Sequence, residues 1–197
     1  MLFQPPMVFF EINSLQVTYE GILSENRIQG NFKQMGMEFP LDFVPADTSK
    51  ETEEVRRPQT PQPPFSYQVQ DLKLPTAAGN TLAGTLTRPQ TSNPVPLIIL
   101  LHGSGPNDRN QSLFGHAPFH VLAHRLTEAG FAVFRFDKRG VGESDGNFQN
   151  AVLSDFMDDA RSLIRAFRQQ MGDSFPQIGI WGHSEGGTIS HALAAEP

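Results

Sequence analysis

Ile178-Gly179-Ile180-Trp181-Gly182-His183-Ser184-Glu185-Gly186-Gly187 is a short apolar run that breaks into glycine, a serine and glycine again. Residues 188–195 then read as a helix. The letters G-x-S-x-G arise by chance in roughly 5% of chains this long. The flanking strand and helix therefore carry the reading, because strand, sharp turn and helix together are the setting of a nucleophilic serine. Such a turn leaves no room for side chains two before and two after the serine, so Gly182 and Gly186 fit those positions. It also lifts the Ser184 hydroxyl clear of the sheet, beside a helix N-terminus where free N–H groups and the dipole stabilise an anion.

Upstream, Leu97-Ile98-Ile99-Leu100-Leu101 is apolar without alternation, as a strand covered on both faces of a parallel sheet requires. His102-Gly103-Ser104-Gly105-Pro106 follows it. Acyl transfer needs donors aimed at a developing oxyanion. The N–H of Glu185 and the N–H of Ser104 are the candidates, with Gly103 and Gly105 letting the loop backbone approach the substrate. Two strands are expected at 67–74 and 81–87, with a turn at Ala77-Ala78-Gly79-Asn80. A helix is expected at 118–129, ended by Gly130, and a strand at 131–136. The stripe of Phe156, Ala160, Leu163, Ile164 and Phe167 predicts a helix over 154–171. Asp155, Asp158 and Asp159 in its first turns and Arg161, Arg165 and Arg168 later on suit the macrodipole. Strands alternating with helices imply an α/β fold with a mostly parallel sheet.

Residues 1–44 differ. Val8-Phe9-Phe10-Glu11-Ile12, Leu15-Gln16-Val17-Thr18-Tyr19 and a hairpin turning at Ser24-Glu25-Asn26-Arg27 read as β structure, and Phe32, Met35, Met37, Phe39 and Leu41 as one or two more strands. Residues 45–65 carry Pro45, Pro58, Pro61, Pro63 and Pro64 among polar residues, a stiff extended linker. Of the 197 residues, 38% are hydrophobic and 18% charged, in the range of a globular protein. Net charge is −6 and no Lys/Arg cluster forms a phosphate stripe, which argues against nucleic acid as a partner. There is no cysteine, so disulfides, thiol catalysis and Cys-based metal sites are excluded; such a chain suits reducing and oxidising compartments alike. No apolar run approaches the roughly 18 residues that span a bilayer, and the first ten residues lack the basic start and cleavage site of a signal peptide. Neither G-x-G-x-x-G nor the Walker pattern occurs, against a nucleotide site.

Four motifs together carry a resemblance: His102-Gly103-Ser104-Gly105-Pro106-Asn107-Asp108-Arg109, Gly115-His116-Ala117-Pro118-Phe119, Arg135-Phe136-Asp137-Lys138-Arg139-Gly140-Val141-Gly142-Glu143-Ser144 and Gly182-His183-Ser184-Glu185-Gly186-Gly187. In this order they resemble α/β-hydrolase esterases, above all bacterial carboxylesterases related to the serine-aminopeptidase-like hydrolases. The resemblance covers 66–197 and implies an N-terminal part of an α/β-hydrolase sheet, preceded by a small β-rich segment. It implies Ser184 as nucleophile, Ser104 and Glu185 as oxyanion donors, a small acyl ester as substrate, and no cofactor or metal. In that group a β-rich domain commonly precedes the hydrolase domain. Residues 1–44 resemble the tail of one, and 58–64 the joint between the two. Asp137-Lys138-Arg139-Gly140 carries over as a structural turn after a strand.

A serine nucleophile needs a base and the base an orienting acid, here in the order Ser, Asp or Glu, His. After Ser184 only thirteen residues follow, including His191 and Glu196. His191 lies seven residues on, about 10 Å along a helix at 1.5 Å per residue, out of reach of Ser184. His183 points elsewhere on the turn, and His102, His116, His120 and His124 precede the serine, with His102 expected to close the oxyanion loop. The triad Asp and His are therefore expected beyond residue 197, and the chain is expected to be a fragment truncated after the nucleophile turn, inactive alone and with residues 178–181 an exposed apolar edge. An amidase or peptidase would use the same machinery. A non-catalytic binding protein on a hydrolase scaffold is the reading of another class, disfavoured because a strained turn without chemistry costs stability to no end.

Overall fold

The computed structural model describes residues 2–4, 6–13, 16–34, 36–46 and 57–196. Residues 47–56 of the proline-rich stretch, and Leu15 and Met35 of the expected strands, lie outside the described residues. The chain divides into two units, Met1–Glu54 and Val55–Pro197.

The first unit is an antiparallel meander of β1 (Leu2–Gln4), β2 (Met7–Ile12), β3 (Val17–Ser24), β4 (Arg27–Gln34) and β5 (Met37–Pro40), paired in chain order. The turn between β3 and β4 is two residues long, with Ser24 opposite Arg27. Tyr19 is the centre of this sheet, fully buried, stacked on Phe10 and donating from its hydroxyl to the Leu41 carbonyl at 2.9 Å. Gly21 and Gly30 face each other across β3 and β4. A Cβ on either would meet the Tyr19 hydroxyl at 2.7 or 2.5 Å, so the ring lies where two side chains are missing.

In the second unit the hairpin of β6 (Tyr67–Pro75) and β7 (Thr81–Pro89) precedes β8 (Leu97–Leu101), α1 (Pro118–Glu128), β9 (Ala132–Phe136), α2 (Leu153–Met171), β10 (Ile178–Gly182) and α3 (Glu185–Ala194). The sheet order is β10-β8-β9-β7-β6. β10, β8 and β9 are parallel, and the hairpin adds antiparallel strands on the β9 side. Helices cover both faces, which explains the unbroken apolar run of β8. Leu97, Ile99 and Leu101 pack with Ala132, Phe134 and Phe136 against Ala160, Leu163 and Phe167 of α2 and Ile189 of α3. Leu100, with Ile98 beside it, packs with Val133 against Phe119 and Ala123 of α1. Parallel strands buried on both faces lose the period of two that marks a half-exposed strand. Among the described residues β10 has one neighbour, β8, and Trp181 on it is 43% exposed.

Two local differences from the sequence expectation have physical causes. The last helix starts at Glu185 rather than Thr188, because the first turn forms directly after Ser184, with Gly187 N–H donating to the Ser184 carbonyl at 2.8 Å. Asp159 on α2 is not a solvated first-turn charge. It is 3% exposed and forms a two-pronged pair with Arg139, Nε to Oδ2 and Nη2 to Oδ1 both at 2.8 Å. Burial pushes the Asp159 carboxyl up and the guanidinium only partly offsets it.

Candidate active site

Ser184 joins β10 to α3 as the N-cap of the helix, at φ 52° and ψ −116°. A non-glycine residue held there costs on the order of 1–3 kcal/mol and persists only where the surroundings impose it. Two glycines make room for it. A Cβ on Gly182 would lie 2.0 Å from the Gly186 carbonyl oxygen, as the tight turn requires. A Cβ on Gly186 would meet a different obstacle, the Leu101 carbonyl oxygen at 2.2 Å at the end of β8. So Gly182 lets the turn close, while Gly186 lets the helix start lie against the neighbouring strand. His183 N–H donates to that same Leu101 carbonyl at 3.0 Å and ties the turn to the sheet. The Ser184 side chain is exposed and makes no capping hydrogen bond.

The loop after β8 lies against this turn. A Cβ on Gly103 would be 3.4 Å from Ser184 Cβ and 2.8 Å from His183 Nδ1. Gly103 N–H is engaged, donating to Gln111 Oε1 at 3.0 Å, and Gln111 Nε2 meets His183 Nδ1 at 2.9 Å. Asn107 Nδ2 donates to the carbonyls of Gly103, Ser104 and Gly105 at 2.9, 3.0 and 3.1 Å, fixing the loop's peptide planes from one side. Gly105 takes φ 96°, which glycine adopts without strain. No hydrogen bond runs from the N–H of Ser104 or Glu185 to another described residue, and Ser104 is exposed. The two candidate donors are thus free beside the serine, while the loop that bears one of them is anchored.

Among the described residues no hydrogen bond joins a histidine side chain to Ser184. His183 meets Gln111, and His191 Nδ1 lies 2.8 Å from the Gly187 carbonyl in its own helix. Tyr67 meets His124 Nδ1 at 3.0 Å, and Phe65 lies edge-on to His120. His102, expected to close the oxyanion loop, is buried directly after β8. Its ring lies between Phe119 and Phe136, with centroids at 5.2 and 4.8 Å, and neither ring nitrogen has a partner. Burial, assisted by the nearby Lys138 charge, lowers its pKa from 6.5 to about 4. The unfolded chain binds this proton near pH 6.5 and the folded chain only near pH 4, so stability is full above 6.5 and falls as pH drops towards 4. The loss across that window amounts to about 3 kcal/mol. Denaturant titrations at pH 7.5 and 4.5 should show it in the wild type and largely lack it in His102→Leu.

Asp137, Lys138 and Arg139 do more than make a turn after β9. The Asp137 carboxylate takes the Arg109 guanidinium at 2.7 Å and the Arg109 N–H at 2.7 Å, both from the loop after β8. Burial alone would raise the Asp137 pKa, but these bonds to Arg109 and the Glu143 N–H hold it down. Arg109 also reaches Glu143, Asp71 and Thr85. Lys138 Nζ donates to the Gly103 carbonyl at 2.8 Å and to Glu185 Oε1 at 2.7 Å. Among the described residues no group of three or more His, Cys, Asp and Glu is arranged to hold a metal ion.

A strained, exposed serine between a parallel strand and a helix, faced by a glycine loop from the next strand, defines an esterase-like α/β hydrolase. The chain belongs to the serine aminopeptidase (S33) family, whose model matches residues 93–197. It is similar to esterase EstD of Thermotoga maritima, 28% identical over 131 residues, 66% of this chain and 30% of that protein. It is also similar to mouse monoglyceride lipase, 32% identical over 136 residues, 68% of this chain and 41% of that one. The fold matches the esterase Pf2001 of Pyrococcus furiosus with a TM-score of 0.56 at 20% identity, over 66% of this chain and 48% of that one. The chain thus spans less than half the length of these relatives.

Proposed function

We propose that the intact protein hydrolyses small carboxylic esters through a covalent acyl-enzyme on Ser184. The observation that carries this is the exposed Ser184 at φ 52°, in a turn whose close backbone approaches only glycine at 182 and 186 allows. Ser184 Oγ attacks the ester carbonyl carbon as its proton passes to a base. The N–H groups of Ser104 and Glu185 hold the resulting oxyanion. The bond to the alcohol oxygen then breaks as the base returns the proton to it. Water attacks the acyl-serine in the same manner and frees the acid.

The base and its orienting acid are assigned to polypeptide beyond residue 197. Support comes from the histidines described above, none of which is hydrogen-bonded to Ser184, and from relatives more than twice as long as the matched portion. The names of those relatives, an esterase and a monoglyceride lipase, favour oxygen esters. The family description, serine aminopeptidase, supports amide cleavage as the second reading.

Treating the intact protein with a fluorophosphonate should add one phosphonyl group to the peptide that contains Ser184. Nitrophenyl esters should turn over faster than the matching anilides; the reverse order would favour the amidase reading. No label and no turnover would leave a binding protein on this scaffold. The 197-residue chain made alone should hydrolyse nitrophenyl acetate no faster than its Ser184→Ala variant. It should also self-associate on sizing chromatography through the open β10 edge. Monomeric, active material from it would refute the assignment of the base to later polypeptide.

A further inference from the structure

We propose that Lys138 is a positioning residue that sharpens both oxyanion donors at once; this rests on the assignment of Ser184, Ser104 and Glu185 above. Lys138 follows β9 and its side chain is 4% exposed. One Nζ donates to the Gly103 carbonyl at 2.8 Å and to Glu185 Oε1 at 2.7 Å. It also lies 4.4 Å from the centroid of the Phe156 ring. Its own N–H donates to the Asn107 carbonyl at 3.1 Å, which fixes the stem to the same loop.

The Gly103 carbonyl and the Ser104 N–H are two ends of one peptide unit. A cation on the oxygen draws electron density along the conjugated amide and makes the N–H a stronger donor. Bonds in such a chain reinforce one another, by roughly 10–30% each in condensed phase, and a charged donor acts about twice as strongly as a neutral one. Asn107 Nδ2 donates to the same carbonyl at 2.9 Å, so that oxygen carries two donors, one of them cationic.

The second contact serves the other donor. Glu185 bears the second N–H, and its carboxylate, only 23% exposed, would oppose an oxyanion forming beside it. The ammonium neutralises it. Lys138 thereby ties the loop after β8 to the first residue of α3, with the serine between them. Filling the space alone does not call for a charge, since an apolar side chain of the same length avoids the desolvation of an ammonium.

The test uses the intact protein and K138M, which keeps the length and removes the charge. Esterase kinetics, affinity for a trifluoromethyl ketone that adds to Ser184, and thermal unfolding are measured. K138M should lose about tenfold or more in kcat with KM within about twofold, a fraction of the 10²–10³ lost with a whole oxyanion donor. The ketone should weaken by the same factor as kcat/KM. The double variant K138M/E185M leaves no unpaired carboxylate. It should fold like the wild type and still lack the kcat, because the Gly103 carbonyl has lost its cation. Recovery of wild-type kcat in the double variant overturns the proposal, since Lys138 would then matter only for neutralising Glu185. Unchanged ketone affinity in K138M, or failure of both variants to fold, also overturns it. Absence of phosphonate label on Ser184 in the wild type would instead refute the site assignment itself.

Discussion

Ser184→Ala in the intact protein should abolish fluorophosphonate labelling and lower kcat/KM for a nitrophenyl ester by at least about 10⁴-fold, with thermal unfolding nearly unchanged. The kinetic magnitude follows from losing the only atom that forms the acyl bond, after which the remaining site gives only the rate enhancement of oriented donors. The stability expectation follows from geometry. Ser184 Oγ makes no capping hydrogen bond and the side chain is exposed, so its removal leaves nothing buried unpaired. The change should stay within about 0.5 kcal/mol.

Ser184→Gly separates chemistry from structure more sharply. At φ 52° and ψ −116° the serine Cβ is strained and glycine is not. The glycine variant should therefore be inactive yet more stable by about 1 kcal/mol, a few degrees in the melting temperature. A protein that gains stability by giving up its serine holds that residue in a shape its chemistry needs. Equal labelling of wild type and Ser184→Ala would refute the nucleophile. A less stable Ser184→Gly would refute the strain.

What could be read in the sequence was whatever local pattern encodes. The uninterrupted apolar run 97–101 marks a strand covered on both faces, and α1 and α2 cover it. The glycines around Ser184 mark a tight turn, and a Cβ on Gly182 would lie 2.0 Å from the Gly186 carbonyl oxygen. The residues that assemble the site from separate elements were not legible. Arg109 meets Asp137 across 28 residues, Arg139 meets Asp159 across 20, and Lys138 meets Glu185 across 47. A charged residue in a loop or on a helix face reads as solvated unless its partner is known, and the partner is supplied only by the fold. Asp159 shows this plainly: its place early in α2 suits the macrodipole, yet its side chain points into the protein towards Arg139. His102 shows the converse. It was expected to close the oxyanion loop, and its ring lies between two aromatic rings, from α1 and β9, that its place in the sequence does not reveal.

Gly186→Ala should leave the protein insoluble or unfolded, a loss of at least about 4 kcal/mol, while Gly187→Ala beside it should be neutral or slightly stabilising. Stabilities of ordinary domains lie near 5–15 kcal/mol, so the first change removes most of what holds the fold. A methyl on Gly186 would lie 2.2 Å from the Leu101 oxygen, 2.6 Å from its carbonyl carbon and 2.7 Å from the His102 oxygen. All three are backbone atoms where β8 ends, and no rotamer change can move them aside. The strand end or the start of α3 has to shift, and the strand end cannot shift alone because Leu101 also accepts from His183. At Gly187 the nearest atom to an added methyl is the Gly182 carbonyl oxygen at 3.7 Å, an ordinary contact. Alanine is also the better helix former there, by about 1 kcal/mol. Adjacent glycines of the same motif should thus differ by several kcal/mol in opposite directions, which expression yield and thermal unfolding of the two variants measure directly. Composition, hydrophobicity and helix propensity predict no such contrast. It arises only if the helix that begins after Ser184 is packed with its second residue against the end of β8, the placement that also brings the loop of Gly103 and Ser104 beside the serine. A stable Gly186→Ala protein would mean that this approach is looser than 2.2 Å to a carbonyl oxygen allows, and the oxyanion assignment would lose its geometric basis along with it.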